Sequence, residues 1–218
     1  MHHAADWSAT KPRARQEHRV AIFSPGFQGR RRPASGLLPP GQYVTDGFPV
    51  LSAGPTPRVS LDSWEFSITT ETGARHRWSW TELQALPREK PTVDIHCVTK
   101  WSKFGTAWEG VSLDTLLEGV DTAAGYALVH SYGGYTTNLP LADLRNGKAW
   151  VAFGYDGKPL TPEHGGPARL LVPHLYFWKS AKWVTRIELL TAEKKGFWER
   201  VGYHDYGDPW REQRYDGD

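Results

Sequence analysis

The stretch Thr92-Val93-Asp94-Ile95-His96-Cys97-Val98-Thr99-Lys100-Trp101-Ser102-Lys103 holds the only cysteine of a 218-residue chain. Residues 92–98 read as a strand with Cys97 near its end. That is the point where a strand gives way to a loop, the usual place for a site on a rigid scaffold. A lone cysteine is by default a small buried hydrophobe. Here Lys100 and Lys103 stand close by in sequence and would favour a thiolate. One cysteine excludes an internal disulfide framework and any cysteine-rich zinc or iron–sulfur site. It leaves open a metal held by one thiolate and a non-protein ligand.

Upstream, Trp64-Glu65-Phe66-Ser67-Ile68-Thr69-Thr70 places Trp64, Phe66 and Ile68 on one face of a strand. Glu71-Thr72-Gly73 turns it back into residues 74–78 as a hairpin. Ser79 with Glu82 three residues on is a capping box, and the helix it opens must end before Pro87. Downstream, Ser112 caps a helix over 113–118, and residues 126–130 are strand-like. A short helix over 140–144 has Pro at its first turn. Residues 149–155 and 158–160 flank Asp156-Gly157 as a hairpin. Residues 168–172 and 183–190 are further strands, the second nearly all apolar apart from Arg186 and Glu188. Short strands mixed with short helices predict an α+β fold.

The bulk numbers agree with one globular domain. Hydrophobic residues make up 39% of the chain and aromatic residues 13%, which argues against disorder. The 11 Trp residues each need an N–H partner when buried, so polar groups are expected inside or beside a site. With 22 Gly and 16 Pro, turns must be frequent. Residues 1–41 read as a basic, irregular N-terminal arm and 42–218 as the domain. Between Lys11 and Arg32 the arm carries Lys11, Arg13, Arg15, Arg19, Arg30, Arg31 and Arg32 against Glu17. That run is a solvated tail or a docking arm for an anionic partner. A net charge of +2 is too balanced for a nucleic-acid surface. No run reaches the roughly 18 apolar residues of a membrane span, and residues 1–20 show no apolar signal core. The expected location is cytoplasmic.

Two further blocks carry chemistry. In His164-Gly165-Gly166-Pro167-Ala168-Arg169-Leu170-Leu171-Val172-Pro173, the glycines allow close approach of a backbone, and Arg169 suits a phosphate. Lys179-Ser180-Ala181-Lys182-Trp183 sets small residues beside two lysines, fit for a phosphate or a heterocycle edge. Read singly, these are a turn and a basic loop.

Taken in order, the Cys97–Ser102 run, Trp108-Glu109-Gly110-Val111 leading to Leu116-Leu117, the 164–173 block and Lys182-Trp183 resemble the molybdopterin-binding domain of the sulfite oxidase family, over roughly residues 40 to 210. The resemblance implies the α+β fold of that domain, mixed sheets with short helices, and a molybdenum–molybdopterin cofactor. It implies that Cys97 ligates the metal and that Ser131, His164, Arg169, Ser180, Ala181 and Lys182 hold the pterin and its phosphate. Thr45 and Asp46 lie where the family's amino-terminal pterin contacts lie. Tyr203 matches the family's active-site tyrosine, able to relay a proton. The basic residues that sulfite oxidases carry just after the cysteine are here Thr99, Lys100 and Ser102, and Lys100 could still attract an anion. The run Tyr176-Phe177-Trp178 makes the funnel more aromatic.

The implied function is oxygen-atom transfer to or from a small substrate, a sulfite-like oxyanion or an S-oxide. With no haem or dimerisation domain in the chain, a separate electron-transfer partner and a monomer are expected. Two alternatives stand beside it. One is a cofactor-binding or redox-partner subunit without turnover. The other is a cysteine hydrolase using His96 or His130, against which adjacent strand residues such as His96 and Cys97 point to opposite faces.

Overall fold

The computed structural model describes residues 37–218. The basic run of the predicted arm lies outside the described residues. At the predicted 41/42 boundary, the chain is already tied to the domain: Arg214 Nη2 donates to the Pro40 carbonyl at 3.2 Å.

Two mixed sheets form the frame. One has five strands in the order β3-β2-β11-β6-β7: β2 (Glu65–Thr69), β3 (Arg75–Ser79), β6 (Tyr126–Ser131), β7 (Thr136–Pro140) and β11 (Val184–Leu190). The pair β2/β11 is parallel, with Ile187 opposite Ile68, and β11 runs antiparallel to β6. The other sheet has six strands, built on β5 (Trp101–Ser112). Its first half pairs with β4 (Thr92–His96) and with β1 (Tyr43–Val44); its second half pairs with β8 (Trp150–Tyr155). On β8 follow β10 (Arg169–Leu171) and the short β9 (Lys158–Pro159).

The local sequence signals explain most of these elements. Trp64, Phe66 and Ile68 are 2%, 0% and 0% exposed, as period-two alternation requires. Both halves of the Ser79/Glu82 capping box form, and α1 (Trp80–Ala85) stops ahead of Pro87. The predicted helix after Ser112 is one turn, α2 (Leu113–Leu116), with the Ser112 side chain accepting from the Asp114 N–H. Residues 141–144 form a tight 3-10 turn, and Pro140 closes β7 instead of opening a helix. The 12-residue β5 and strand β7 are not evident from sequence pattern. A bulge at Glu109/Gly110 bends β5 over β8. A Cβ on Gly110 would stand 2.5 Å from the Val151 carbonyl, so only glycine permits that closeness.

The interior has two parts. An aliphatic core, with Ile68, Val111, Val129, Val151 and Ile187 all at 0% exposure, fills the space between the sheets. Each such side chain contributes about 1.5–3 kcal/mol by leaving water. A second, aromatic cluster gathers Trp101, Trp108, Trp150, Tyr176 and Trp178 around Cys97. The site lies where these two parts meet.

Candidate functional site

Cys97 sits on the turn from β4 to β5. Its N–H donates to the Trp101 carbonyl at 2.8 Å, and its carbonyl accepts from the Lys100 N–H at 2.9 Å. Lys100 closes the turn with φ of 77°, a left-handed conformation uncommon for a residue with a side chain. Cys97 is 7% exposed, and its Sγ accepts from Thr99 Oγ1 at 3.1 Å. Burial pushes the thiol pKa up, against the opposing pull of the Thr99 hydroxyl. Without a metal the group is therefore a thiol; a bound metal ion would take it as thiolate.

The turn is held from behind by residues that sequence reasoning missed. Gln42 Nε2 donates to the carbonyls of Cys97 and Trp101 at 3.1 and 3.3 Å. Arg214, 5% exposed, donates to the Val98 carbonyl at 2.7 Å and to Gln42 Oε1 at 3.1 Å. His96 Nδ1 lies 2.8 Å from Ser102 Oγ, and its pKa is depressed by burial to about 4. It faces away from the thiol as strand alternation demands, and His130 lines a separate recess, so neither candidate base of a cysteine hydrolase shares the cavity with Cys97.

Cys97 opens onto a cavity of about 580 Å³. The cavity also contains His164, Arg169, Ser180, Ala181, Lys182 and Tyr203 in its wall. Thus seven of the residues singled out in the sequence meet in one place. Arg169 is 1% exposed, and its guanidinium donates to the carbonyls of His164 at 2.8 Å and Ser180 at 2.6 Å. It lies 4.1 Å from the Phe177 ring centroid. Burial lowers its pKa to about 9. Lys182 is lowered to about 8, first by burial and then by the Arg169 charge. A Cβ on Gly165, which has φ of 105°, would crowd the Cβ atoms of both Arg169 and Lys182 at 3.1 Å. His164 Nε2 lies 3.0 Å from the Phe48 carbonyl, and Nδ1 lies 3.1 Å from Thr161 Oγ1. That pairing makes Nε2 the donor and Nδ1 the acceptor.

Residues 48–57 form an outer wall over this cavity. Phe48 packs on the His164 ring with centroids 4.0 Å apart, and Lys182 Nζ donates to the Leu51 carbonyl at 2.7 Å. The turn from β6 to β7 adds Gly133 and Gly134, with φ of 80° and 83°, to the wall. Tyr203 stacks on Trp198 at 4.9 Å and meets Trp178 edge-on at 5.2 Å. Burial raises its phenol pKa, so it stays protonated at neutral pH.

The other sequence candidates stand off the cavity. Ser131 ends β6 with a buried Oγ that has no hydrogen-bond partner, and it lines a neighbouring polar recess with His130 and Arg186. Tyr132 is common to both hollows. Lys100 is exposed and does not line the cavity. Thr45 and Asp46 lie just before the outer wall, where the Asp46 carbonyl accepts from Lys103 Nζ at 2.6 Å.

Residues 53–198, more than half the chain, match the family described as oxidoreductase molybdopterin binding domain. The chain belongs to that family. As a sulfite-oxidase-family molybdopterin-binding oxidoreductase it has relatives among curated proteins. It is 43% identical to "Uncharacterized oxidoreductase YuiH" of Bacillus subtilis, over 87% of this chain and 97% of that one. It is 28% identical to "Putative protein-methionine-sulfoxide reductase subunit YedZ1" of Azospira oryzae, over 68% of this chain and 57% of that one. With "Protein-methionine-sulfoxide reductase catalytic subunit MsrP" of Pseudomonas syringae it shares 26% identity, over 76% of this chain and 54% of the relative. The chain thus spans nearly all of YuiH and little more than half of the other two. In fold it is similar to the sulfane dehydrogenase SoxCD of Paracoccus pantotrophus, with a TM-score of 0.59 at 16% identity, over 90% of this chain and 59% of the other. Among the described residues, no helix is long and apolar enough to cross a membrane.

The cofactor of this molybdopterin-binding domain is molybdopterin with molybdenum, and the cavity fits it. Arg169 is a buried cation bonded only to carbonyl oxygens and pressed against a second cation, Lys182. An anionic group between them relieves both charges. In the same wall, Trp101 Nε1 is a buried donor with no partner. Gly133 and Gly134 present backbone with nothing within 4 Å of a built Cβ.

Proposed function

We propose that this chain is a molybdenum oxidoreductase that removes an oxygen atom from a neutral S-oxide, with Cys97 as the protein ligand to the metal. The observation that carries the reading is that Cys97 and the Arg169/Lys182 pair share one cavity wall. When bound, the cofactor supplies two-electron oxygen-atom transfer. In this reading, Arg169, Lys182 and His164 anchor its phosphate and pterin ends. Ser180 and Ala181 offer backbone to the heterocycle, and Cys97 fixes the metal end. Ser131, Thr45, Asp46 and Lys100 belong to an outer set that supports the wall without lining it.

Substrate class follows from the charges. Lys100 does not line the cavity, and in this reading Lys182 and Arg169 are taken up by the cofactor's phosphate. Around Cys97 and Tyr203 the wall is Val98, Trp101, Phe177, Trp178 and Trp198. An aromatic wall desolvates sulfite without pairing its charge. It suits a neutral S–O dipole, whose oxygen can accept a hydrogen bond from Tyr203. In the balanced reaction the S–O bond breaks and two electrons reduce the sulfoxide to a thioether. The oxygen takes up two protons and leaves as water, with Tyr203 as a proton donor on the substrate side. Methionine sulfoxide, the substrate in the names of two relatives, is the first compound to try. The electrons come from a separate donor.

Purified protein is assayed for molybdenum and for the fluorescence of oxidised pterin, then for turnover with reduced benzyl viologen as donor to methionine sulfoxide and with ferricyanide as acceptor from sulfite. One molybdenum per chain and a kcat/KM for methionine sulfoxide at least tenfold above that for sulfite oxidation is the expected result. Molybdenum without turnover on either substrate would make the chain a cofactor-carrying subunit instead.

A further inference from the structure

Lys179 is 0% exposed, and its ammonium lies beneath the cavity wall, not in it. Nζ donates to Glu199 Oε1 at 2.7 Å, the Asp205 carbonyl at 2.6 Å, and the Asn138 carbonyl and Oδ1 at 2.9 Å each. Glu199 and Asp205 stand on either side of Tyr203 in the chain. One buried ammonium therefore grips both ends of the loop that carries the tyrosine, and ties that loop to β7 through Asn138.

The carboxylate of Glu199 is equally buried, with its side chain at 0% exposure. Its Oε1 also accepts from Thr137 Oγ1 and from Trp178 Nε1, each at 2.9 Å. Trp178 meets the Tyr203 ring edge-on, while Trp198, the residue before Glu199, stacks on its face. Oε2 has no partner and packs against Gly196, whose missing Cβ leaves it room. A buried ion pair with an unsatisfied oxygen is a poor device for stability alone, because well-packed apolar residues serve that end as well or better. It is a good device for fixing geometry.

We propose that Lys179 and Glu199 are positioning residues that hold Tyr203, between Trp178 and Trp198, at the substrate end of the cavity. The use made of that geometry rests on the oxidoreductase reading above; the pinning itself does not.

The test uses full-length protein. Lys179→Met and Glu199→Gln each strand a buried partner and are expected to lower the melting temperature. The double variant is neutral and keeps the side-chain volumes, so its melting temperature recovers towards wild type. Amide hydrogen exchange is then followed in the double variant without cofactor. Exchange over residues 199–207 rises at least tenfold, while exchange in β11 stays within about twofold. Loaded with molybdenum to the wild-type level, the double variant loses at least tenfold in kcat on methionine sulfoxide, with KM within about threefold. Unchanged exchange over 199–207 overturns the pinning. Faster exchange with wild-type kcat overturns its use in turnover. A wild-type protein that carries molybdenum yet reduces no S-oxide rejects the proposed function, and the exchange experiment still decides the pinning.

Discussion

The side-chain amide of Gln42 donates to the main-chain carbonyl of Cys97 at 3.1 Å, across 55 positions of sequence. It reaches Trp101 and Ser102 from the same atom and is only 8% exposed. Gln42→Leu removes these bonds, leaves the Cys97 and Trp101 carbonyls with one main-chain donor each, and deprives Arg214 of one buried acceptor. The expected cost is about 1–3 kcal/mol in urea unfolding. A lower molybdenum content in protein purified from the same cells should accompany it.

Cys97→Ala deletes one buried sulfur from a site that can close around the smaller residue. The fold should lose no more than about 1–2 kcal/mol, and the far-ultraviolet circular dichroism should match wild type. Turnover should vanish. In loaded wild-type protein the sulfur should resist iodoacetamide, and removal of the cofactor should expose it. Full activity in the alanine variant would reject the ligand role.

Lys182 makes phosphate affinity depend on pH. Its pKa in the folded chain is about 8, below the ordinary 10.5. The unfolded chain therefore holds more protons between these values, and cofactor-free protein should gain stability as pH rises through that window. Phosphate binding needs the charged lysine, so it should weaken over the same window. Thermal melts from about pH 7 to about pH 10, with and without inorganic phosphate, test both signs. The phosphate-induced shift should shrink above about pH 8 and be lost at every pH in Lys182→Met.

His96 acts in the acid range. Burial depresses its pKa from 6.5 to about 4. The unfolded chain then takes up a proton at higher pH than the folded one. Stability is complete above pH 6.5 and falls as the solution is acidified towards pH 4, by about 3 kcal/mol in all. His96→Gln, which can keep a bond to Ser102, should flatten that part of the acid limb in unfolding titrations.

Features encoded within a few residues were legible in the sequence. The β2/β3 hairpin, the Ser79 capping box and the Asp156-Gly157 turn follow from local pattern, and so does β4, although it stops at His96, two residues before the expected end at Val98. So does the meeting of Cys97 with the His164–Arg169 and Ser180–Lys182 segments, but only through resemblance to a family. The long β5 hides because Gly105 and the bulge at Glu109/Gly110 interrupt its alternation. Gln42, Arg214, Lys179 and Glu199 hide for a different reason. Each is buried by partners tens of residues away, and a single polar letter gives no sign of what will surround it. The frequent Trp residues pointed to polar groups inside the fold; Glu199 under Trp178 and Glu89 under Trp150 are such groups.

Phe48 and the residues after it close the cavity from outside, latched to His164 and Lys182 by main-chain oxygens. Entry of a guest from that side requires these contacts to part and re-form behind it. The same strap slows departure, so dilution should withdraw a bound guest only gradually.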